Sequence, residues 1–499
     1  MKILLIYPRC PDTFWSFRHA LRFVSKKAGS PPLGLLTVAA LLPEIWEKRL
    51  VDMNVRDLED KDIRWADYVF IGAMSVQQES ARSVIRRCKA LGVKIVAGGP
   101  LFTARHDDFA DEGVDHFVLN EAEITLPQFL KDLAAGCPQP LYSSREWADV
   151  QTTPVPLWDL INLKHYAMMN LQYSRGCPYD CEFCDITVLY GRTPRTKSGI
   201  QMIEELNSLY DRGWRGHIFL VDDNFIGNKV KLKREILPAI IRWMDYRHRP
   251  VTLSTEVSLN LADDAQLLRM MAEAGFGTVF VGIESPNEES LAECGKDHNR
   301  NRDMVSCIRT IQQAGLEVQG GFILGFDNDP VSIFNRLAAF IQESGIVTAM
   351  VGLLNAPRGT KLYQRLAQEG RLLDHFSGDN TDASMNFEPK MNADTLREGY
   401  QTVLRGIYTP KCYYARVTHF LRNYRPVPRG GFHFSLSEAS AFFKSTVLLG
   451  VVGKERYHYW KLFFWSLFCR PKLFPLAITQ AIYGFHFRKV FEQHLSSIE

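Results

Sequence analysis

Three cysteines, Cys177, Cys181 and Cys184, lie four and three residues apart in the stretch Tyr173-Ser174-Arg175-Gly176-Cys177-Pro178-Tyr179-Asp180-Cys181-Glu182-Phe183-Cys184. The thiolate is the form of cysteine that ligates metal, and three thiolates on one tight loop can hold three corners of a metal centre. A structural zinc would want a fourth protein ligand close by. The next cysteine, Cys294, is far down the chain. The pattern therefore points to an iron–sulfur cluster with one iron left open for another molecule. The remaining cysteines, Cys10, Cys88, Cys137, Cys294, Cys307, Cys412 and Cys469, are scattered and read as small buried hydrophobes. Ten cysteines in a chain of 499 residues with this spacing argue for reduced thiols and metal, not a disulfide framework.

The elements that must position this loop follow from the apolar pattern. Composition is ordinary for a globular protein, with 46% hydrophobic and 23% charged residues and a net charge of +3. No signal sequence is expected, because the apolar start, Ile3 to Tyr7, is too short and reads as a strand. No run of about 18 apolar residues suggests a membrane span. In the first 150 residues, strand patterns at 2–7, 49–53, 68–74, 94–97 and 116–119 alternate with helices at 34–42, 77–91 and 123–135. That alternation predicts a parallel, doubly wound, Rossmann-like sheet, which binds ligands at the carboxyl ends of its strands. Those ends carry Ser75-Val76-Gln77, Gly98-Gly99-Pro100 and Asn120-Glu121-Ala122-Glu123. There is no G-x-G-x-x-G for a dinucleotide, and a docking sheet without a ligand fits the pattern as well.

From 165 to 370 the alternation resumes, with strands expected at 217–221, 252–255, 278–283, 317–324 and 348–353. This is a (β/α) barrel, full or partial, with the cysteine loop after its first strand. Function in such barrels sits at the carboxyl ends of the strands. Asp222-Asp223-Asn224, Glu256, Glu284-Ser285, Asn355 and Arg358 are stationed there. Any one of them could merely cap a helix; as a group they converge on the rim that bears the cysteines. The expected division is 1–150, 151–375, and a mainly helical region over 376–499.

Cys177-x-x-x-Cys181-x-x-Cys184 on the first loop of such a barrel resembles the radical SAM superfamily. The doubly wound domain ahead of it is similar to the cobalamin-binding domain of the radical SAM methyltransferases. Stretches such as Arg192-Thr193-Pro194-Arg195-Thr196-Lys197 and Val221–Asn228 look closest to the branch that includes the hopanoid C-2 methylases. The resemblance implies a [4Fe–4S] cluster on the three cysteines, with its open iron chelated by S-adenosylmethionine (SAM). It places Phe183 beside the adenine, and Asp222, Asp223, Asn224, Glu256 and Glu284 around SAM. Asp222-Asp223-Asn224 stands where the family carries Gly-Gly-Glu. It implies cobalamin against Ser75, Val76, Gln77, Gly98, Gly99, Pro100, Asn120 and Glu121. The Asp-x-His-x-x-Gly motif is missing, so no histidine of this domain is expected as the lower cobalt ligand. Cys10 is at a strand end that could face the corrin. The implied chemistry is methyl transfer from cobalamin to a carbon activated by a 5′-deoxyadenosyl radical, fed by a donor such as flavodoxin or ferredoxin. Non-methylating radical chemistry, with the first domain as substrate platform, stays open at this point, as does a membrane-docked cobalamin or Fe–S sensor.

Residues 410–499 are rich in Lys and Arg, hold few Glu and no Asp, and are strongly aromatic. Basic residues beside Trp and Phe on short amphipathic helices suit an anionic membrane surface. A helical cap on the barrel, with the aromatics as core, explains the same residues. No nucleic-acid motif accompanies them. The expected substrate is a small molecule or lipid, and the expected location is cytoplasmic, with peripheral contact on the inner face of the membrane.

Overall fold

The computed structural model describes residues 1–373, 376–379, 381–426 and 436–496. The N-terminal sheet has six parallel strands: β1 (Lys2–Tyr7), β2 (Glu47–Asp52), β3 (Tyr68–Gly72), β4 (Lys94–Gly98), β5 (His116–Val118) and β6 (Leu141–Tyr142). Their spatial order is β2-β1-β3-β4-β5-β6. The sheet is apolar on both faces, as a doubly wound sheet must be. Leu4 and Ile6 of β1 join one core with Val69 and Ile71, while Ile3 and Leu5 join the other with Tyr68 and Phe70. Strand β6 was not expected; two residues carry no readable alternation.

The second sheet begins with β7 (Met168–Leu171). The short antiparallel pair β8 (Ser174–Arg175) and β9 (Arg195–Thr196) braces the cysteine loop. Five strands follow: β10 (His217–Leu220), β11 (Thr252–Val257), β12 (Phe276–Glu284), β13 (Glu317–Leu324) and β14 (Ala349–Leu353). The order β14-β13-β12-β11-β10-β7 is all parallel and does not close on itself, so the barrel is a partial one of six strands.

The C-terminal helices wrap the outside and floor of this barrel. Buried tyrosines tie them to strand ends: Tyr408 donates to the Ala349 carbonyl at 2.7 Å and Tyr424 to Gly315 at 2.9 Å. The buried Arg416 guanidinium donates to the Ile407 and Val347 carbonyls. The last helix, Phe474–Ser496, returns to the N-terminal turn Phe14–Ser16. Phe14 stacks on Phe487 with centroids 4.3 Å apart, and His486 Nε2 lies 2.9 Å from the Phe14 carbonyl. Phe14 and Phe23 accordingly share one core with the barrel and the C-terminal helices.

Candidate active site

The cysteine loop leaves β7 and is clamped at once. Asp222, just past β10, accepts from the backbone amides of Tyr173 and Ser174 and from the Ser174 hydroxyl. Asp223 accepts from the Gly176 amide at 2.8 Å. Gly176 adopts φ +93°. A Cβ there would come within 2.9–3.1 Å of the carbonyl oxygens of Thr193, Gly191 and Tyr190. Gly176→Ala is expected to cost upward of about 1 kcal/mol and to lower iron incorporation, read as melting temperature and iron content.

Cations pin the loop from outside. Asp180 pairs with Arg192 at 3.1 Å and Lys361 at 2.5 Å, and Glu182 with Arg365 at 2.7 Å. The Glu182 amide donates to the Cys294 carbonyl. The three cysteines are partly buried and unpaired. Burial pushes all three thiols upward, so metal binding must displace their protons. Among the described residues no group of three His, Cys, Asp or Glu side chains is placed to hold a single metal ion. A cluster asks for something different, one thiolate on each of three irons, and a single loop with three thiols at this spacing fits that demand.

The rim residues divide. Asp223 and Glu256 line a cavity of about 1680 Å³ that joins the strand ends of the two sheets. Burial, with Asp223 and Asp222 nearby, pushes Glu256 up to about 8, and burial raises Asp223 to about 6. Asn224 Nδ2 donates to Ser258 Oγ at 3.3 Å and stands 4.0 Å from Cys177 Sγ, while its buried Oδ1 has no partner. Phe183 packs edge-on against Phe326. Asp222, expected around SAM, is instead engaged by the loop itself, at two backbone amides and the Ser174 hydroxyl. Glu284 sits at φ 67° on a bulge, and its carboxylate is taken by the buried Lys296 ammonium at 2.6 Å. No sequence signal marks Lys296.

On the opposite wall Ser75, Val76, Gly98, Gly99, Pro100 and Asn120 line the same cavity. Gly98 and Gly99 let the backbone pass close to neighbouring strands where a side chain would clash. A Cβ on Gly98 would meet the Val118 carbonyl at 2.6 Å, and Gly99 adopts φ +91°. Two expected contacts have their side chains engaged within the protein. Gln77 is buried, donating to the Pro8 carbonyl and accepting from the Met74 amide, which shapes the turn from within. The Glu121 carboxylate bridges to the barrel, pairing with Arg175 at 2.9 Å and Arg195 at 2.8 Å. Glu123 takes Arg175 at 2.8 Å and accepts from the Thr153 hydroxyl. This junction was not foreseen, although Arg175 stands inside the cysteine stretch.

Two family models cover these walls: "B12 binding domain" over residues 24–130 and "Radical SAM superfamily" over 171–341. "Domain of unknown function (DUF4070)" matches 360–499. An uncharacterized methyltransferase of Synechocystis sp. is 39% identical over 490 residues, covering 98% of this chain and 91% of its own. The hopanoid C-2 methylase of Rhodopseudomonas palustris is 36% identical over 391 residues, covering 77% and 73%. The chain belongs to the cobalamin-dependent radical SAM methyltransferases. Solved structures agree on the fold. TsrM of Kitasatospora setae, with cobalamin and a [4Fe–4S] cluster bound, aligns at TM-score 0.65 and 14% identity over 99% of both chains. The cobalamin-dependent radical enzyme OxsB aligns at TM-score 0.62 and 15% identity, over 100% of this chain and 80% of its own. The cofactors of this methyltransferase are thus a [4Fe–4S] cluster, SAM and cobalamin.

Proposed function

We propose that this methyltransferase methylates an unactivated carbon of a polycyclic, hopanoid-like lipid while docked on a membrane surface. The observation that carries the reading is a patch on the C-terminal helices. Phe443, Val452, Tyr457 and Phe468 are each at least 70% exposed. Lys454, Arg456, Lys461 and Lys472 of the same segment are exposed as well. Monomeric proteins seldom leave such residues uncovered without a partner, and basic residues in one segment with exposed apolar ones suit anionic lipid. No described helix is long and apolar enough to cross a membrane, so contact would be peripheral, on the inner face. Both expectations for this region then have a place: its buried tyrosines cap the barrel and its outer aromatics meet the bilayer. The identity to the Rhodopseudomonas palustris methylase supports the lipid class.

The three cysteines would hold the cluster, with Asp223, Asn224 and Glu256 toward SAM and Phe183 toward its adenine. Gly98, Gly99, Pro100, Ser75, Val76 and Asn120 would cradle the corrin. When bound, these groups supply the hydrogen-abstracting radical and the methyl group. The protein's part is to orient the lipid, exclude water and accept an electron. Arg192 and Lys361, exposed beside the cluster loop, offer basic contacts to an acidic donor such as flavodoxin or ferredoxin.

Anaerobically reconstituted enzyme, supplied with SAM, reductant and hopanoid lipid in anionic vesicles, should give one added methyl per product and 5′-deoxyadenosine. Serine at Phe443, Val452 and Phe468 together should cut co-sedimentation with the vesicles by about tenfold. Equal recovery of variant and wild type in the pellet would refute membrane docking.

A further inference from the structure

Barrel interiors of this kind are normally filled by branched apolar side chains. The inward positions here are different. Thr252 and Ser254 of β11, Thr278 of β12, and Glu317 and Gln319 of β13 all face the cavity that opens at the cofactor end. His217 orients two of them, with Nδ1 2.8 Å from Thr252 Oγ1 and Nε2 2.7 Å from Ser254 Oγ. The barrel is therefore hollow and polar below the cofactors.

Its floor comes from the region of unknown function. Gln480, on the last helix, is wholly buried and lines the cavity. Its Nε2 donates to Glu317 at 2.7 Å, while its Oε1 has no partner. Asn170 of β7, which also lines the cavity, repeats the arrangement: Nδ2 donates to the Pro31 carbonyl, and Oδ1 has no partner. A buried acceptor without a donor is costly. Two such acceptors, each on a residue that lines the same chamber, would be satisfied by a ligand that brings hydrogen-bond donors. The Glu317 carboxylate already engages the Gln480 amide, and Thr252, Ser254, Thr278, Gln319 and Asn170 carry no charge, which favours a neutral donor over a cation. Trp15, Phe219 and Phe280 supply apolar wall between floor and rim.

We propose that the barrel is a substrate chamber whose floor, closed by Gln480, holds a hydroxyl-bearing end of a hydrocarbon substrate, with the reacting carbon at the opposite end. The inference rests on the lipid-methylating reading above and names the substrate class within it. It gives the C-terminal region a task beyond capping, which is to select the substrate's far end.

The test uses holoenzyme and two probes: hopane-type triterpenoids with one ring system, one bearing a hydroxylated side chain and one a hydrocarbon side chain. Equilibrium binding should favour the hydroxylated probe by about tenfold. Gln480→Leu should remove the preference and leave the hydrocarbon probe's Kd within about twofold. Because Gln480 also holds Glu317, Asn170→Leu serves as a second variant, with iron content and melting temperature as controls on folding, and it should reduce the preference in the same direction. Equal binding of both probes to wild type, or a preference that survives both variants, overturns the chamber. Equal binding with equal methylation would leave the methylating reading intact. Preferential binding without methylation would leave the chamber standing and remove that reading. Failure of both probes to bind would sink the lipid class and the chamber together.

Discussion

Alanine at Cys177, Cys181 or Cys184 abolishes formation of 5′-deoxyadenosine, by more than about 100-fold for each single variant. In the proposed site each cysteine would ligate one iron, and losing even a supporting contact to a metal ligand typically costs 10–100-fold. The loop itself should survive, because its Asp222 and Asp223 clamps and its three outer cations do not involve sulfur. Iron and sulfide analysis with the visible spectrum separates cluster loss from unfolding. Cys294→Ala is the discriminating control. Its buried thiol lies near Cys181, but the contact it makes to the loop is through its carbonyl, so this variant should keep its iron. A Cys181→Ala protein with full SAM cleavage would refute the site.

Arg175→Met is the second large effect, and it acts on the junction between the two cofactor domains. The Arg175 guanidinium is buried against two carboxylates, and methionine would leave both without it. Breaking a buried ion pair from one side costs about 3–5 kcal/mol. Burial alone would raise Glu123, yet the Arg175 hydrogen bonds and charge outweigh it and hold Glu123 down to about 2, from an ordinary value of 4.5. The sign follows. A carboxylate depressed in the folded state contributes stability that is whole above about pH 4.5 and is lost as pH falls toward 2. Wild-type melting temperature should fall through that window. In Arg175→Met the dependence reverses, because the uncompensated buried Glu123 is relieved by a proton. The defect is then largest at neutral pH. A variant with wild-type melting temperature at pH 7 would show that the junction carries no load.

Much of this was readable from residue order. The strands announced themselves as apolar runs such as Ile3-Leu4-Leu5-Ile6, and the cysteine spacing gave the cluster loop. The placement of Asp222 and Asp223 was also within reach. His217, Phe219 and Val221 alternate into the cavity, so strand parity carries Asp223 inward and Asp222 away. Glu256 is in phase with Thr252 and Ser254 for the same reason. Gln77 was misread because a side chain that caps its own turn looks, in sequence, like one that faces a ligand. Nothing local marks Lys296 or Gln480. Their partners, Glu284 and Glu317, lie 12 and 163 residues away, and only the tertiary fold brings them together. The basic, aromatic tail was read either as a membrane-facing surface or as a cap on the barrel, and which rings go inward is decided by packing against β13 and β14.

The return of helix Phe474–Ser496 to residues 14–17 sets an order of events during synthesis. The ribosome delivers both sheets and the cysteine loop before the helix that seals the barrel beneath them. Until then Phe14 lacks the stacked ring of Phe487 and the chamber has no bottom. A nascent chain thus passes through a stage with its cofactor loop formed and its interior accessible from below. Nascent chains fold from the N-terminus forward at roughly 5–20 residues per second, which leaves an interval of seconds for that opening. Completion of the last helix both buries the exposed aromatics and ends free access to the reaction chamber from that side.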